Sequence, residues 1–236
     1  MTRRRWIADE VSGNRASLTG EHADHLVRAL RARIGQEFDI ATGASVRRGR
    51  IIAIDSGHVQ FELGEEVAAA AVVQVTLVLS IFKFDRMEWA IEKCTELGVS
   101  RIVPVIARRT EAHLALAAEK RGERWQRIAL QAAEQSRRAA PPEISPPMKL
   151  KEAVALPGST RIVLAESEKS LMLKDALRDH AEGEVVLAFG PEGGWTEAEV
   201  ELFRRASWTA ASLGETILRA ETAAIAAMAI ALAELG

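Results

Sequence analysis

A strand, a glycine-rich turn and a helix start follow one another between residues 184 and 199, and this order constrains the fold most. The apolar run Glu184–Phe189 predicts a buried parallel strand. Gly190-Pro191-Glu192-Gly193-Gly194 comes next, and Thr196 with Glu199 then forms the pattern of a helix capping box. Open α/β sheets bind ligands just beyond the carboxyl ends of their strands. The turn is therefore either a ligand-binding loop or a tight turn without a ligand.

The sequence changes character near residue 71, which predicts two domains, residues 1–71 and 72–236. The first holds short alternating stretches at 37–40, 50–54 and 58–63, which are typical of a small β-barrel, and one helical stretch, Glu21–Arg31. In the second, strand patterns alternate with helix patterns, which predicts an α/β domain with a parallel sheet covered on both faces. Its predicted strands are 72–82, 99–105, 161–165, 185–189 and 210–213, and its predicted helices are 85–97, 124–138, 171–180 and 219–235.

Composition excludes several classes of protein. The net charge of −2 gives no global attraction to nucleic acid or to a membrane, so any polyanion site must be a local patch. The single cysteine, Cys94, excludes an internal disulfide framework, and its place on one helix face favours core packing over a redox or nucleophilic role. The longest apolar run, Ala223–Ala233, is too short to span a bilayer, and no signal peptide is visible. We expect a cytoplasmic protein without a membrane partner.

Arginines cluster in the first domain, at Arg3-Arg4-Arg5, at Arg28/Arg31/Arg33 and at Arg47-Arg48/Arg50. Guanidinium groups suit phosphates and base edges, so the clusters favour an RNA-binding accessory domain. A solvated, salt-bridged surface explains any one cluster equally well. His22 and His25 share a helix face but lack cysteine or carboxylate partners at ligand spacing, so no metal site is expected.

The motifs of several common nucleotide sites are absent from the sequence. It contains no Gly-x-x-x-x-Gly-Lys-Ser/Thr, no Gly-x-Gly-x-x-Gly after the first strand of the second domain, and no Gly-x-Ser-x-Gly. What remains is a pocket lined by backbone and built from three loops, Ala165-Glu166-Ser167, Gly190–Gly194 and Leu213–Leu218. Such loops can hold an adenine by peptide hydrogen bonds and a ribose by a carboxylate, without a metal.

Two segments resemble the signature of the 16S ribosomal RNA uracil-N3 methyltransferase family in the SPOUT superfamily. They are Phe189-Gly190-Pro191-Glu192-Gly193-Gly194-Trp195-Thr196-x-x-Glu199 and Ser212-Leu213-Gly214-x-x-Ile217-Leu218-Arg219-x-Glu221-Thr222-Ala223. Further segments are similar to the family and lie in the same order: His25-Leu26 with Arg28 and Leu30-Arg31, Lys83 with Asp85–Glu88, Lys93–Val99, Arg109, Glu123–Trp125, and Glu134–Arg138 with Pro142. The departures are Thr216 where arginine is common, Trp195 for phenylalanine, and Arg137 for glycine.

The resemblance implies a PUA-like β-barrel followed by a SPOUT domain whose carboxyl-terminal segment forms a trefoil knot. It also implies a homodimer, S-adenosylmethionine as cofactor, and methylation of N3 of one uridine, U1498, in the 16S RNA of the small ribosomal subunit. The cofactor-binding residues carried over are Leu164, Ala165, Glu166, Phe189, Gly190, Pro191, Glu192, Gly193, Gly194, Ser212, Leu213, Gly214, Ile217, Leu218, Arg219, Thr222 and Ala223. The RNA-binding residues carried over are Arg4, Arg28, Arg31, Arg109, Gln135 and Arg138.

The reaction itself indicates which catalytic groups to look for. Uracil N3 is a poor nucleophile until its proton leaves, and the resulting anion spreads onto O2 and O4. Arg138, Arg219 and Lys93 are the candidate donors to those oxygens, because all three lie in family-like segments. Glu221 or Glu192 can accept the proton, and so can water or a phosphate. Glu221 can equally serve the first turn of the last helix.

Two other functions stay open. One is a different SPOUT enzyme, which methylates a ribose 2′-hydroxyl or guanine N1 of transfer RNA. The other is an RNA-binding assembly factor without catalytic activity.

Overall fold

The computed structural model describes residues 5–43, 45–67, 74–178 and 182–235. Among these residues, contacts divide the chain into two compact units. One consists of residues 5–67 together with 133–140, and the other of residues 74–132 and 141–235. The predicted boundary at residue 71 lies outside the described residues.

The first unit is built around a six-stranded sheet with the order β1-β4-β5-β6-β3-β2. The pair β1–β4 is parallel and the other pairs are antiparallel. Its strands are β1 (Arg5–Ile7), β2 (Glu10–Ser12), β3 (Arg15–Thr19), β4 (Glu37–Ala41), β5 (Val46–Asp55) and β6 (His58–Val67). Alternate residues such as Leu18, Ile40, Ile51 and Phe61 are buried in a common core. The strands predicted at 37–40, 50–54 and 58–63 are confirmed within β4, β5 and β6, whereas β1–β3 were not predicted.

A short helix, α1 (Gly20–Asp24), follows β3 and continues as a π-helical turn, His25–Ala29. The predicted helix over Glu21–Arg31 is therefore shorter than expected. Arg31 has a φ of 53°, a left-handed conformation that ends the turn.

The second unit contains a parallel sheet. Its strands are β7 (Val75–Ser80), β8 (Arg101–Ile106), β9 (Glu143–Ile144), β10 (Met148–Lys149), β11 (Thr160–Leu164), β12 (Val185–Phe189) and β13 (Thr209–Ala211). Their order is β10-β8-β7-β12-β11-β13, with β9 beside β8. All of these pairs are parallel.

Helices and one short 3₁₀ turn, Glu119–Arg121, connect these strands. The helices are α2 (Phe84–Glu96), α3 (Ala112–Ala118), α4 (Gly122–Gln135), α5 (Leu150–Ala153), α6 (Leu173–Arg178), α7 (Glu197–Arg205) and α8 (Ala220–Leu235). The helix predicted over 124–138 ends at Gln135, because Arg137 takes a left-handed φ of 60°. None of the helices in the described ranges has both the length and the apolar character needed to cross a bilayer.

Both faces of the parallel sheet are buried, as expected. Leu187 packs in an apolar cluster with residues of α2 and α8, whereas its neighbours Val186 and Ala188 pack in a second cluster with Phe203 of α7. Cys94 lies in the first cluster, and its burial raises the pKa of the thiol to about 12. This environment supports core packing for Cys94, since its thiolate is strongly disfavoured at neutral pH.

Candidate functional site

The register of the parallel sheet brings three loops to one edge. Leu164, the last residue of β11, pairs with Phe189 at the end of β12 and with Ala211 at the end of β13. Because the strands are parallel, the loops that follow them leave the sheet side by side. A cavity of about 560 Å³ lies where these loops meet. The carboxyl edge of the sheet thus holds the pocket that the sequence predicts there.

The cavity is lined by all the predicted cofactor-binding residues except Thr222, which is exposed on α8. The lining also includes residues that were not predicted to bind the cofactor, among them Arg86, Arg109, Trp195 and Thr216. Among the residues that the structure describes, no group of three or more histidine, cysteine, aspartate or glutamate side chains is placed to hold a metal.

Glycine is favoured at two positions of the loop after β12. Gly194 has a φ of +68°, which side chains rarely adopt. A Cβ atom on Gly190 would lie 3.2 Å from the backbone nitrogen of Trp195. The amide of Gly194 donates to the carbonyl of Pro191 at 2.7 Å, which closes the turn. The loop therefore presents its backbone to the cavity in a compact conformation.

The loop after β12 leads directly into α7 through a capping box. Thr196 Oγ1 accepts a hydrogen bond from the backbone nitrogen of Glu199, and Glu199 Oε2 accepts one from the backbone nitrogen of Thr196. The predicted helix start is confirmed. The second oxygen of Glu199, Oε1, accepts from the backbone nitrogen of Arg108 at 2.7 Å. A single buried carboxylate thus joins α7 to the loop after β8.

The loop after β13 turns sharply at Gly214, whose φ is +127°. Ser212 Oγ accepts a hydrogen bond from the Gly214 amide at 3.1 Å, which stabilises the turn. Thr216 and Ile217, which follow, are exposed and line the cavity. Thr216 therefore lies at the pocket, where its short side chain takes the place of the arginine common in the family it resembles.

Two arginines that line the cavity, Arg86 and Arg109, contact polar groups beside them. Arg86 Nη1 lies 2.9 Å from Glu192 Oε1, and Arg86 Nε lies 3.8 Å from Glu221 Oε1. The side chain of Glu221 is only 3% exposed, and its other oxygen, Oε2, has no hydrogen-bond partner within the described part of the chain. Arg109 donates a hydrogen bond to the carbonyl of Gly193.

The candidate catalytic residues lie in different environments. Arg219 is exposed and lines the cavity, whereas Glu221 is buried in the first turn of α8 and lies outside the lining. Lys93 also lies outside the lining, and its ammonium contacts Glu92 and Glu96 at 2.7 and 2.8 Å. Those hydrogen bonds raise the pKa of Lys93. Arg138 belongs to the first unit, where burial lowers the pKa of its guanidinium.

The candidate RNA-binding residues are divided between the two units. Arg28, Arg31 and Gln135 are exposed and belong to the first unit together with Arg138, whereas Arg109 lines the cavity of the second. Arg4 lies outside the described residues. The structure thus places the end of α4 with the β-sheet unit, a grouping that the continuous helix pattern of the sequence did not indicate.

His22 contacts the segment 133–140 within the first unit. Its Nδ1 lies 3.1 Å from Asp9 Oδ1, and its Nε2 lies 3.2 Å from Glu134 Oε1. Arg5 adds a hydrogen bond to the carbonyl of Arg137. Burial raises the pKa of the Glu134 carboxyl group. His22 thus bridges the carboxylates of Asp9 and Glu134.

Known proteins match this chain over most of its length. The family model of the RNA methyltransferase domain matches residues 69–232. The ribosomal RNA small subunit methyltransferase E of Synechocystis sp. is 34% identical over 220 residues, which are 90% of this chain and 71% of that protein. The protein of the same name from Bacillus subtilis is 29% identical over 231 residues, covering 90% of this chain and 87% of its own.

A solved structure extends the likeness to the whole fold. It is the crystal structure of a ribosomal RNA small subunit methyltransferase E from Neisseria gonorrhoeae bound to S-adenosyl methionine. The two chains superpose with a TM-score of 0.84 and 32% identity, over 96% of this chain and 95% of the other.

Proposed function

This chain belongs to the RNA methyltransferase family, among the ribosomal RNA small subunit methyltransferase E proteins, and we propose that it methylates N3 of U1498 in 16S ribosomal RNA. It is an S-adenosylmethionine-dependent ribosomal RNA methyltransferase. One observation carries the proposal above all: the predicted cofactor-binding residues, with the exception of Thr222, surround one cavity at the carboxyl edge of the parallel sheet.

The residues around the cavity fit S-adenosylmethionine. A volume of about 560 Å³ is in the range of small-molecule pockets. The backbone of the loops after β11, β12 and β13 offers peptide donors and acceptors for an adenine, and Glu166 offers a carboxylate for a ribose. Apolar side chains such as Leu213 and Ile217 supply surface for a flat ring. When bound, S-adenosylmethionine supplies a methyl group that its sulfonium centre already activates.

The side chains at the cavity must then accept the uridine proton and stabilise the resulting anion. Arg219 lines the cavity, is exposed, and forms no ion pair within the described ranges, so its guanidinium is available to stabilise negative charge on O2 or O4. Of the two candidate proton acceptors, Glu192 lines the cavity and is one-third exposed, whereas Glu221 is buried. Of these two, Glu192 is therefore the better placed acceptor, and Glu221, which lies outside the lining, is better suited to pairing with Arg86.

The first unit supplies the RNA-binding surface in this proposal. Arg28 and Arg31 expose their guanidinium groups there, and the same unit carries Gln135 and Arg138. Such cationic side chains neutralise phosphates, and a planar guanidinium also suits base edges. Lys93 remains a weaker candidate donor, because two carboxylates already neutralise its charge.

The proposal further includes a homodimer, a cytoplasmic location and the trefoil knot, all of which the family resemblance implies. Light scattering of the purified chain tests the first of these. A monomer at micromolar concentration would contradict the homodimer without affecting the assignment of the reaction.

One experiment tests the reaction. The protein is incubated with methyl-labelled S-adenosylmethionine and small ribosomal subunits that lack the modification, and the labelled base is then mapped. We expect label on N3 of one 16S uridine, at U1498. Label on transfer RNA instead would indicate another SPOUT methyltransferase. RNA binding without any transfer would indicate an assembly factor, and either result would overturn the proposal.

A further inference from the structure

Two arginines from neighbouring segments contact the glycine-rich loop of the cavity, Gly190–Gly194. Arg86 lies in the first turn of α2, which follows β7, and Arg109 lies in the loop after β8. Arg86 Nη1 donates to Glu192 Oε1 at 2.9 Å. Arg109 Nη1 donates to the carbonyl of Gly193 and lies 3.5 Å from the carbonyl oxygen of Trp195. The loop is thus held through one side chain and through its backbone.

Arg86 also reaches α8, the helix whose residues Ala220 and Ala223 line the cavity. Its Nε lies 3.8 Å from Oε1 of Glu221, in the first turn of α8. The Glu221 side chain is 3% exposed, and a carboxylate buried to that extent requires a nearby positive charge. The Arg86 guanidinium therefore connects the loop after β12 to the beginning of α8. Both segments lie far from Arg86 in the sequence.

Arg109 is itself fixed in place. A Cβ atom added to Gly193 would lie 3.2 Å from Arg109 Cδ, so the glycine backbone packs directly on the arginine stem. The neighbouring residue, Arg108, donates its amide to Glu199 Oε1 of α7 at 2.7 Å. The segment that carries Arg109 is thereby attached to the helix that the glycine-rich loop enters.

Ordering this loop is expensive in conformational entropy, because glycine loses more freedom than any other residue when its backbone is fixed. A loop that is already ordered in the free protein spares the ligand that cost, which increases affinity. We propose that Arg86 and Arg109 are positioning residues that hold Gly190–Gly194 in its cofactor-binding conformation before the cofactor arrives. The inference rests on the proposed function, since it takes S-adenosylmethionine as the ligand of the cavity.

Calorimetric titration of S-adenosylmethionine into the full chain tests the inference. Arg86→Gln and Arg109→Gln should each raise the Kd about tenfold, with the binding stoichiometry unchanged. Arg86→Lys should fall between the wild type and Arg86→Gln, because an ammonium lacks the planar fork that reaches both carboxylates.

Arg101 provides a matched control. Its Nε lies 3.2 Å from Glu143 Oε1, and its side chain is 32% exposed, against 29% for Arg86. It begins β8 and lies outside the cavity lining. Arg101→Gln removes an ion pair of an arginine that is similarly exposed, and should leave the Kd for S-adenosylmethionine unchanged.

Two double variants separate positioning from folding. Arg86→Gln alone leaves Glu221 as an unpaired buried charge, which destabilises the fold. Arg86→Gln with Glu221→Gln removes that charge, and should restore thermal stability while keeping the raised Kd. Arg86→Gln combined with Glu192→Gln should raise the Kd by less than the sum of the two single effects, because both changes remove the Arg86–Glu192 ion pair.

Three results would overturn the inference. The first is a lower stoichiometry with a wild-type Kd in Arg86→Gln, which would show a role in folding alone. The second is an additive effect in the Arg86/Glu192 double variant. The third is a wild-type Kd in Arg109→Gln. Failure of the wild-type chain to bind S-adenosylmethionine would be a distinct result, which would overturn the proposed function and the inference with it.

Discussion

The indole nitrogen of Trp195 donates a hydrogen bond to the carbonyl oxygen of Leu164 at 3.1 Å. Leu164 ends β11, and Trp195 follows the glycine-rich loop that begins after β12, so this bond joins two walls of the cavity. The Trp195 ring also packs edge-on against Phe203 of α7, with 4.9 Å between the ring centroids. Trp195 therefore supports the loop by packing and by a polar contact that phenylalanine, the residue usual in the family resemblance, does not provide.

Trp195→Phe should keep the ring packing and lose the hydrogen bond. The Leu164 carbonyl then loses this hydrogen bond, which should lower the free energy of unfolding by about 1 kcal/mol. The Kd for S-adenosylmethionine should rise by less than about fivefold, because the loop keeps its other contacts. Urea denaturation and calorimetry measure the two effects. Complete loss of binding would show that the indole has a larger role than a support.

Gly194→Val should greatly weaken cofactor binding while the chain stays folded. Gly194 has a φ of +68°, and a β-branched residue is a strong outlier in that conformation. The loop must therefore rearrange, and we expect the Kd to rise by more than about thirtyfold. Gly122→Ala is the control, since Gly122 has a φ of −51° and open space around its Cα. Equal affinity in both variants would contradict the required left-handed turn.

Local patterns predicted the elements that build the cavity. The strand at 185–189 has the expected limits, and the Thr196–Glu199 capping box forms where the sequence places it. The last helix begins at Ala220, one residue after the predicted start. These features are accessible because apolar runs, glycine turns and capping residues act over a few positions.

Contacts between distant segments could not be predicted in this way. Arg86 and Glu192 are 106 residues apart, and no periodicity relates them. The helix pattern from residue 124 continues to Arg138, whereas the chain leaves the helix after Gln135. There Arg137 takes a left-handed φ of 60°, and His22 and Arg5 contact Glu134 and Arg137. Tertiary contacts outweighed local helix propensity there.

Glu168 should make stability depend on pH in the acid range. Its carboxylate accepts hydrogen bonds from the Ser170 hydroxyl, the Ser170 amide and the Leu171 amide, which lower its pKa to about 2 from 4.5. Because the folded-state pKa is depressed, the stabilisation is complete above about pH 4.5 and is lost as the pH falls towards 2.

Glu168→Gln tests this pH dependence. At pH 7 the variant should be less stable by under about 1 kcal/mol, because solvent screens the exposed carboxylate. The difference should vanish near pH 2. Urea denaturation at a series of pH values measures it. A constant difference over the whole range would assign the effect to packing of the side chain.

Arg138→Ala should lower turnover without weakening cofactor binding. Arg138 belongs to the first unit, whereas the cavity lies in the second, so its loss should leave the Kd for S-adenosylmethionine within about twofold. If its guanidinium stabilises the uridine anion, kcat should fall about a hundredfold or more. Arg178→Ala is the control, since Arg178 is an exposed arginine on α6 and lies outside the cavity lining. Single-turnover kinetics on small subunits and calorimetry provide both readouts. Loss of cofactor binding with RNA binding intact would show that the assignment of Arg138 is wrong.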